Sequence, residues 1–319
     1  MKERGNSLNE KALKWTEIES KNKTSQSKRS VERRGKMITF ACIAIMVIIA
    51  VSMLVFVASK GLSTFFVNKA NVIEFFTGTN WDPGKTDKTG APALGALPMI
   101  IGSFAVTFMA AIICAPLAIG GAVFMTEISA RIGQKMLQPV IELLVGIPSV
   151  VYGFVGLSVI VPFIREHVSG SGFGIAAGTV VLTIMILPTM MSLSVDAIRA
   201  VPASLREASL ALGATRWQTI YKVVLKTARQ GILTAIIFGM ARAFGEALAV
   251  QMVIGNSTVI PTSLFEPSST LTSILTMGMG NTVMGQVENN ALWTLALILL
   301  LMSLIFIIIV RILGRRRTY

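Results

Sequence analysis

The sequence is short of charge. Asp, Glu, Lys and Arg make up only 14% of its 319 residues, against about 25% in soluble domains. It has two cysteines, Cys42 and Cys114, each inside a long apolar run, and a single histidine, His167. Two such thiols make neither a disulfide framework nor a zinc ligand set, and one histidine makes no metal cluster. No Ser-His-Asp or paired-carboxylate arrangement is visible. The chain is therefore read as a non-enzyme, with no catalytic residue, no metal site and no cofactor of its own. What it has in excess is hydrophobicity: 53% of residues are apolar and the mean hydropathy is +0.70. That balance points to a polytopic membrane protein.

Six apolar runs reach the roughly 20 residues that a helix needs to cross a bilayer: 37–58, 98–125, 136–164, 172–195, 230–255 and 291–310. The fold class expected is all-α integral membrane. Pro116, Pro148 and Pro188 fall inside these runs and are expected to kink them. Residues 1–36 are polar and basic, too long for the n-region of a cleavable signal. Met37–Ala58 then reads as an uncleaved anchor behind a mostly disordered or loosely helical tail.

A net charge of +13 invites a nucleic-acid reading, but the placement of the charges argues against it. With the N-terminus inside, the cytoplasmic pieces 1–36, 126–135, 196–229 and 311–319 hold 11, 2, 6 and 4 Lys and Arg. The outer pieces hold five: Lys60, Lys69, Lys85, Lys88 and Arg165. The outer stretch 256–290 has none. This is the positive-inside pattern, so both termini are expected in the cytoplasm, with the basic tail 313–319 against anionic lipid head groups. No nucleic-acid partner is expected.

Two stretches imitate phosphate loops. "GTNWDPGKT" (Gly78–Thr86) ends in Gly-Lys-Thr, but Thr79 stands where the motif demands glycine, and the stretch lies in an outer loop. "GSGFGIAAG" (Gly170–Gly178) has no strand before it and enters a span. It reads as a loop followed by close helix packing.

The cytoplasmic loop 196–229 is long and carries helix signals. Ser204-x-x-Glu207, just after Pro202, and Thr215-x-x-Gln218 both have capping-box spacing. Gly213 between them suits a left-handed helix end. The expectation is a helix, a glycine break and a second helix that runs on towards the fifth span. Such a hairpin is either a plain connector or a docking element.

The fifth run carries Arg242 near its middle and Glu246 four residues later. An arginine at a helix centre costs ~2.5–3.5 kcal/mol on insertion scales. At i, i+4 spacing the two share one helix face, which must turn into the bundle or a water-filled path. Two roles fit: a structural ion pair, or a guanidinium fork for an oxyanion with Glu246 orienting it. Ser149 and Tyr152, beside Pro148, either add neutral hydrogen-bond partners to a path or pack in the core. Glu142, about five residues into its run, reaches for the interface.

"REASLALGATRWQTIYKVVLK" resembles the EAA loop of ABC-importer permeases. Glu207, Ala208 and Gly213 stand at the motif's spacing, Ser209 replaces its second alanine, and Lys226 stands where the family pattern ends in proline. "ARAFGEALAVQMVIGN", "ELLVGIPSVVYGFVG", "FFTGTNWDP" followed by "GALP", and "LFEPSSTLTSIL" resemble stretches of the phosphate-specific (Pst) permeases, nearer the C type of the two permease subunits than the A type. The resemblance covers about residues 37–312 and is weakest in the N-terminal tail.

It implies a type I ABC-importer permease-like domain, 37–312, with a cytoplasmic coupling-helix hairpin. The family's role is that of a permease subunit of an ATP-driven phosphate importer in a bacterial or archaeal inner membrane. Its partners are phosphate, a second A-type permease, an ATPase dimer that holds the ATP, and an extracytoplasmic phosphate-binding protein. By the same resemblance Glu207, Ala208, Gly213 and Ala214 meet the ATPase, while Arg242 and Glu246 occupy positions associated with phosphate passage. A permease for molybdate or sulfate, and an anion channel, are the competing readings.

Overall fold

The computed structural model describes residues 2–86, 92–168 and 170–315. Lys88 and the end of the basic tail, 316–319, lie outside the described residues. The chain divides into two compact units, Met1–Phe56 and Val57–Tyr319.

Helix α1 (Lys2–Phe66) begins in the first unit. The tail expected to be loose is helical from Lys2, and no break separates it from the apolar run. Residues 2–36 contain no proline and are rich in Lys, Glu and Arg, which are good helix formers. The Glu32–Lys36 pair at 2.7 Å adds an i,i+4 contact. From Met37 to Phe56 nearly every side chain is exposed and apolar. A helix that is hydrophobic all round needs lipid or another helix to cover it.

In the second unit, α2 (Val72–Thr77) leads to a two-stranded antiparallel hairpin, β1 (Trp81–Thr86) and β2 (Pro92–Leu94), with Trp81 opposite Leu94. Nothing in the hydropathy of this stretch marks the strands. The hairpin is anchored because Trp81 packs edge-on against the buried Phe75. Then come α3 (Leu97–Val123), α4 (Ala130–Ile132), α5 (Gln138–Gly146), α6 (Ser149–Val155), α7 (Val161–His167) and α8 (Ile175–Arg199). They are followed by α9 (Ala203–Ala211), α10 (Arg216–Thr219), α11 (Leu225–Phe244), α12 (Leu248–Ile254), α13 (Leu271–Met279) and α14 (Val287–Arg315). Single π-helical turns link α6 to α7 and α10 to α11 and extend α3 to Ile128.

Among the described residues six helices are long and apolar enough to cross a membrane: Glu32–Phe66, Leu97–Ile128, Ser149–His167, Ile175–Arg199, Arg216–Phe244 and Val287–Ile308. The fold is all-α integral membrane, as expected, but two of the six runs are not single helices. Run 136–164 breaks at Ile147 and Pro148, whose backbones are extended. A residue before proline is pushed out of the helical region, and here the chain does not recover within the turn. Run 230–255 breaks at Gly245–Ala247. By contrast α3 and α8 continue through Pro116 and Pro188.

The core is built on α3 packed along α8, with α11 against both and α12 between α6 and α8. Apolar burial does not drive helices together in lipid, so close approach must come from small residues. The α3 face carries Ala110, Cys114 and Ala118, all essentially fully buried. Between α6 and α12, a Cβ on Gly153 would lie 2.9 Å from the Ala249 Cα, so only glycine lets those helices touch.

Candidate functional site

Arg242 lies two residues before the end of α11, at a helix break, and not in the middle of a continuous span. Gly245 closes α11 with an amide bond to the Ala241 carbonyl. The chain then turns through Glu246 and Ala247 before α12 begins. The turn is held from inside: the Glu246 carboxylate accepts the Ala249 amide at 3.0 Å, and Thr272 of α13 donates to the Glu246 carbonyl at 2.9 Å. Glu246 thus caps the free amides at the start of α12.

This overturns the expectation that Arg242 and Glu246 share a helix face. An i,i+4 relation holds only on one uninterrupted helix. No ion pair within 4.0 Å joins them; among the described residues the ion pairs lie elsewhere. Arg242 instead donates to the Thr189 hydroxyl on α8 at 2.6 Å. Both Arg242 and Thr189 are half-buried. A neutral hydroxyl steers the guanidinium without cancelling its charge. The remaining N–H groups stay available to an acceptor from outside the chain.

The second break lies alongside. Tyr152 of α6 is buried, and its hydroxyl donates across the Ile147–Pro148 break to the Leu144 carbonyl at 2.8 Å. It packs in the same buried cluster as Met240 and Ala243, on either side of Arg242. The structure therefore places Tyr152 near Arg242 and gives its hydroxyl a bracing bond. Ser149 opens α6, half-buried, and its hydroxyl has no partner among the described residues. Glu142 is exposed and accepts from Gln138, one turn back on α5. Sequence reasoning missed Thr189. It follows Pro188 inside an apolar run, and nothing in its neighbours marks it.

At the other functional stretch, α9 ends as expected and starts differently. Its N-cap is Pro202 with no side-chain cap bond. Ser204 sits within the helix, so the proposed Ser204/Glu207 capping box does not form. Glu207 is exposed and free of any cap role. At the far end Gly213 has φ +81°. Its amide bonds the Leu210 carbonyl at 3.0 Å and the Ala214 amide bonds the Ser209 carbonyl at 3.2 Å, the two bonds of a Schellman ending. The Thr215/Gln218 capping box is fully formed. From Arg216 the helix continues through Lys226 to Phe244, so the second arm of the hairpin is the fifth span itself.

The tip of the hairpin is exposed, while Ile220 and Val224 of its second arm pack into an apolar cluster with Ile198 and Val201. Glu207, Ala208 and Gly213 are exposed, Ala214 half-buried. Beside them Leu212 is 89% exposed, Trp217 64% and Tyr221 62%. On its inner side a cavity of about 540 Å³ is lined by Glu127, Arg199, Arg206 and Arg216 among others. Arg206 and Glu127 form an ion pair at 2.8 Å that is largely shielded from solvent.

Comparison with known proteins agrees with this architecture. Residues 118–319 match the family of binding-protein-dependent transport system inner membrane components. A probable ABC transporter permease protein of Bacillus subtilis is 56% identical over 92% of this chain and 94% of its own length. A phosphate transport system permease protein of Pasteurella multocida is 34% identical over 87% of this chain and 89% of its own. In structure, a bacterial ABC transporter involved in import of the acidic polysaccharide alginate superposes with a TM-score of 0.60, at 13% identity, over 88% of this chain and 96% of its own. That likeness shows the fold, which is of the type I ABC-importer permease class. Through these matches and its six membrane-length helices, the chain belongs to the binding-protein-dependent transport system inner membrane component family.

Proposed function

We propose that this permease subunit forms half of the path of an ATP-driven phosphate importer. The observation that carries the reading is Arg242: a half-buried guanidinium at a helix break, held by the neutral Thr189 hydroxyl and unpaired with Glu246. Guanidinium N–H groups match the spacing of phosphate oxygens. Broken helices at a substrate site are a recurring transporter device, because irregular backbone inside a membrane is tolerated where it lines a cavity. The names of relatives that are phosphate permeases support phosphate over molybdate or sulfate.

The work comes from a separate ATPase dimer, which holds the ATP. The exposed Leu212, Trp217 and Tyr221 beside Glu207 form an apolar patch on a rigid two-helix tip, and contiguous apolar surface of that kind marks a protein contact. Glu207, Ala208, Gly213 and Ala214 sit at that tip. An A-type permease supplies the other half of the path, and an external phosphate-binding protein delivers the cargo to the outer loops 59–97 and 256–290. The termini face the cytoplasm of a bacterial or archaeal cell, with the basic end of the chain near anionic lipid.

The test is uptake by the reconstituted complex with ATP and binding protein, compared for phosphate, sulfate and molybdate. Arg242→Gln removes a charge-assisted contact and is expected to lower phosphate uptake on the order of 100-fold at normal protein level. Intact uptake overturns the role of Arg242. Gly213→Pro cannot adopt φ +81° and deletes the bond to Leu210; it is expected to abolish co-purification of the ATPase. Undiminished binding overturns the coupling assignment, and conduction without an ATPase would favour a channel.

A further inference from the structure

The ion pair beneath the hairpin tip belongs to a larger set of contacts. Arg206 Nε and Nη2 both donate to Glu127 Oε1, at 3.1 and 2.8 Å. Its Nη1 donates to the Val201 carbonyl at 2.6 Å and its Nη2 to the Ile198 carbonyl at 3.0 Å. One side chain on α9 thereby joins three pieces: the end of α8, the α8–α9 corner and the π-helical turn that ends the second span. The other arm of the hairpin reaches the same turn, because Arg216 donates to the carbonyls of Glu127 and Ile128. Ser209 and Thr219 bond each other across the hairpin at 2.9 Å. Both arms are therefore tied to each other and to Phe124–Ile128.

From that turn a single uninterrupted helical segment, Leu97–Ile128, runs back through the molecule. About two and three turns from Leu97, Phe104 and Phe108 pack edge-on against Phe244, with ring centroids 5.4 and 6.4 Å away. Phe244 is the last residue of α11, two positions after Arg242. A helix resists axial compression, which makes this segment a continuous physical connection from the tip to the break that presents Arg242.

We propose that Glu127 and Arg206 form a strut through which the coupling hairpin moves the second span and, through Phe244, the Arg242 break. The strut rests on the coupling role assigned above to the hairpin. Two features favour it over a mere corner clasp. The pair is charged and shielded, with side chains 12% and 23% exposed, and desolvating two charges is an expensive way to fasten a loop. It is also made between elements 79 residues apart in sequence, where no local turn needs it.

The strut is tested in the reconstituted complex by the ATP hydrolysed per phosphate imported, with ATPase co-purification measured on the same samples. Glu127→Gln keeps shape and hydrogen bonding but removes the charge; Arg206→Lys keeps the charge but cannot make four bonds at once. Each is expected to retain the ATPase and its hydrolysis and to raise the ratio on the order of tenfold. The double variant should be no worse than the more severe single one, because both cut one connection. A wild-type ratio in the assembled Glu127→Gln complex overturns the proposal, as does a doubly multiplied effect in the double variant. Should Glu127→Gln fail to assemble, the ratio is read on Arg206→Lys alone; a wild-type ratio there overturns the proposal. Failure of the unmutated chain to retain any ATPase would defeat the coupling role itself and not the strut alone.

Discussion

Two arginines and two glutamates behave in opposite ways. Arg242 and Glu246 are four residues apart and do not pair; Arg206 and Glu127 are 79 apart and do. Between the first two the helix ends at Phe244, so each finds its own partner, Thr189 for one and the Ala249 amide for the other. The second two meet because α8 returns beside α3 and the hairpin folds beneath them. Spacing in sequence is a guide to contact only while the backbone between the residues is regular.

The comparison is most sharply broken at Arg242. In a double-mutant cycle on uptake, Arg242→Gln should carry the large loss. Adding Glu246→Gln should contribute independently, with a coupling energy under about 0.5 kcal/mol, as for sites without shared partners. A coupling above ~1 kcal/mol would restore the structural ion pair. Glu246→Ala comes next: loss of the cap on α12 should destabilise the protein by about 0.5–2 kcal/mol, read as thermal unfolding in detergent. Tyr152→Phe removes one bond across the Pro148 break and should cost about 0.5–1.5 kcal/mol by the same assay, with phosphate selectivity unchanged. A shift in selectivity would move Tyr152 from bracing to ligand.

The smallest effect lies in the loop that carries Glu266. The Glu266 carboxylate is held below the usual range, first by the Thr262 amide and then by its hydroxyl. A carboxyl with a depressed folded value contributes its stability above the unfolded pKa, and that stability is lost as pH falls through the folded one. Exchange protection of the Thr262 amide should therefore hold at neutral pH and fade below about pH 4. Protection unchanged at low pH would mean that the turn does not depend on the charge.

Much of the fold was legible because lipid leaves few choices. An apolar run of twenty residues must satisfy its own backbone, which makes it helical, and six such runs were visible. The Thr215/Gln218 box and the Gly213 ending were legible because both are local. The Ser204/Glu207 box was not, because Pro202 already sets the helix start and carries Ser204 past the capping position. The break at Gly245 was invisible: glycine inside an apolar helix is common in membranes, and only Thr272, arriving from α13, shows that the chain leaves the helix there. Thr189 was hidden for the same reason.

By itself the sequence determined the membrane class, the number of membrane-length helices and the helical hairpin. Each of these follows from local hydropathy, charge or capping, where neighbours in the chain are neighbours in space. Only the tertiary structure decided that Arg242 stands at a broken helix with a hydroxyl partner, that Glu246 is a cap, and that Glu127 meets Arg206. Those are contacts between distant segments, and a buried charge takes whichever partner the packing brings within about 3 Å.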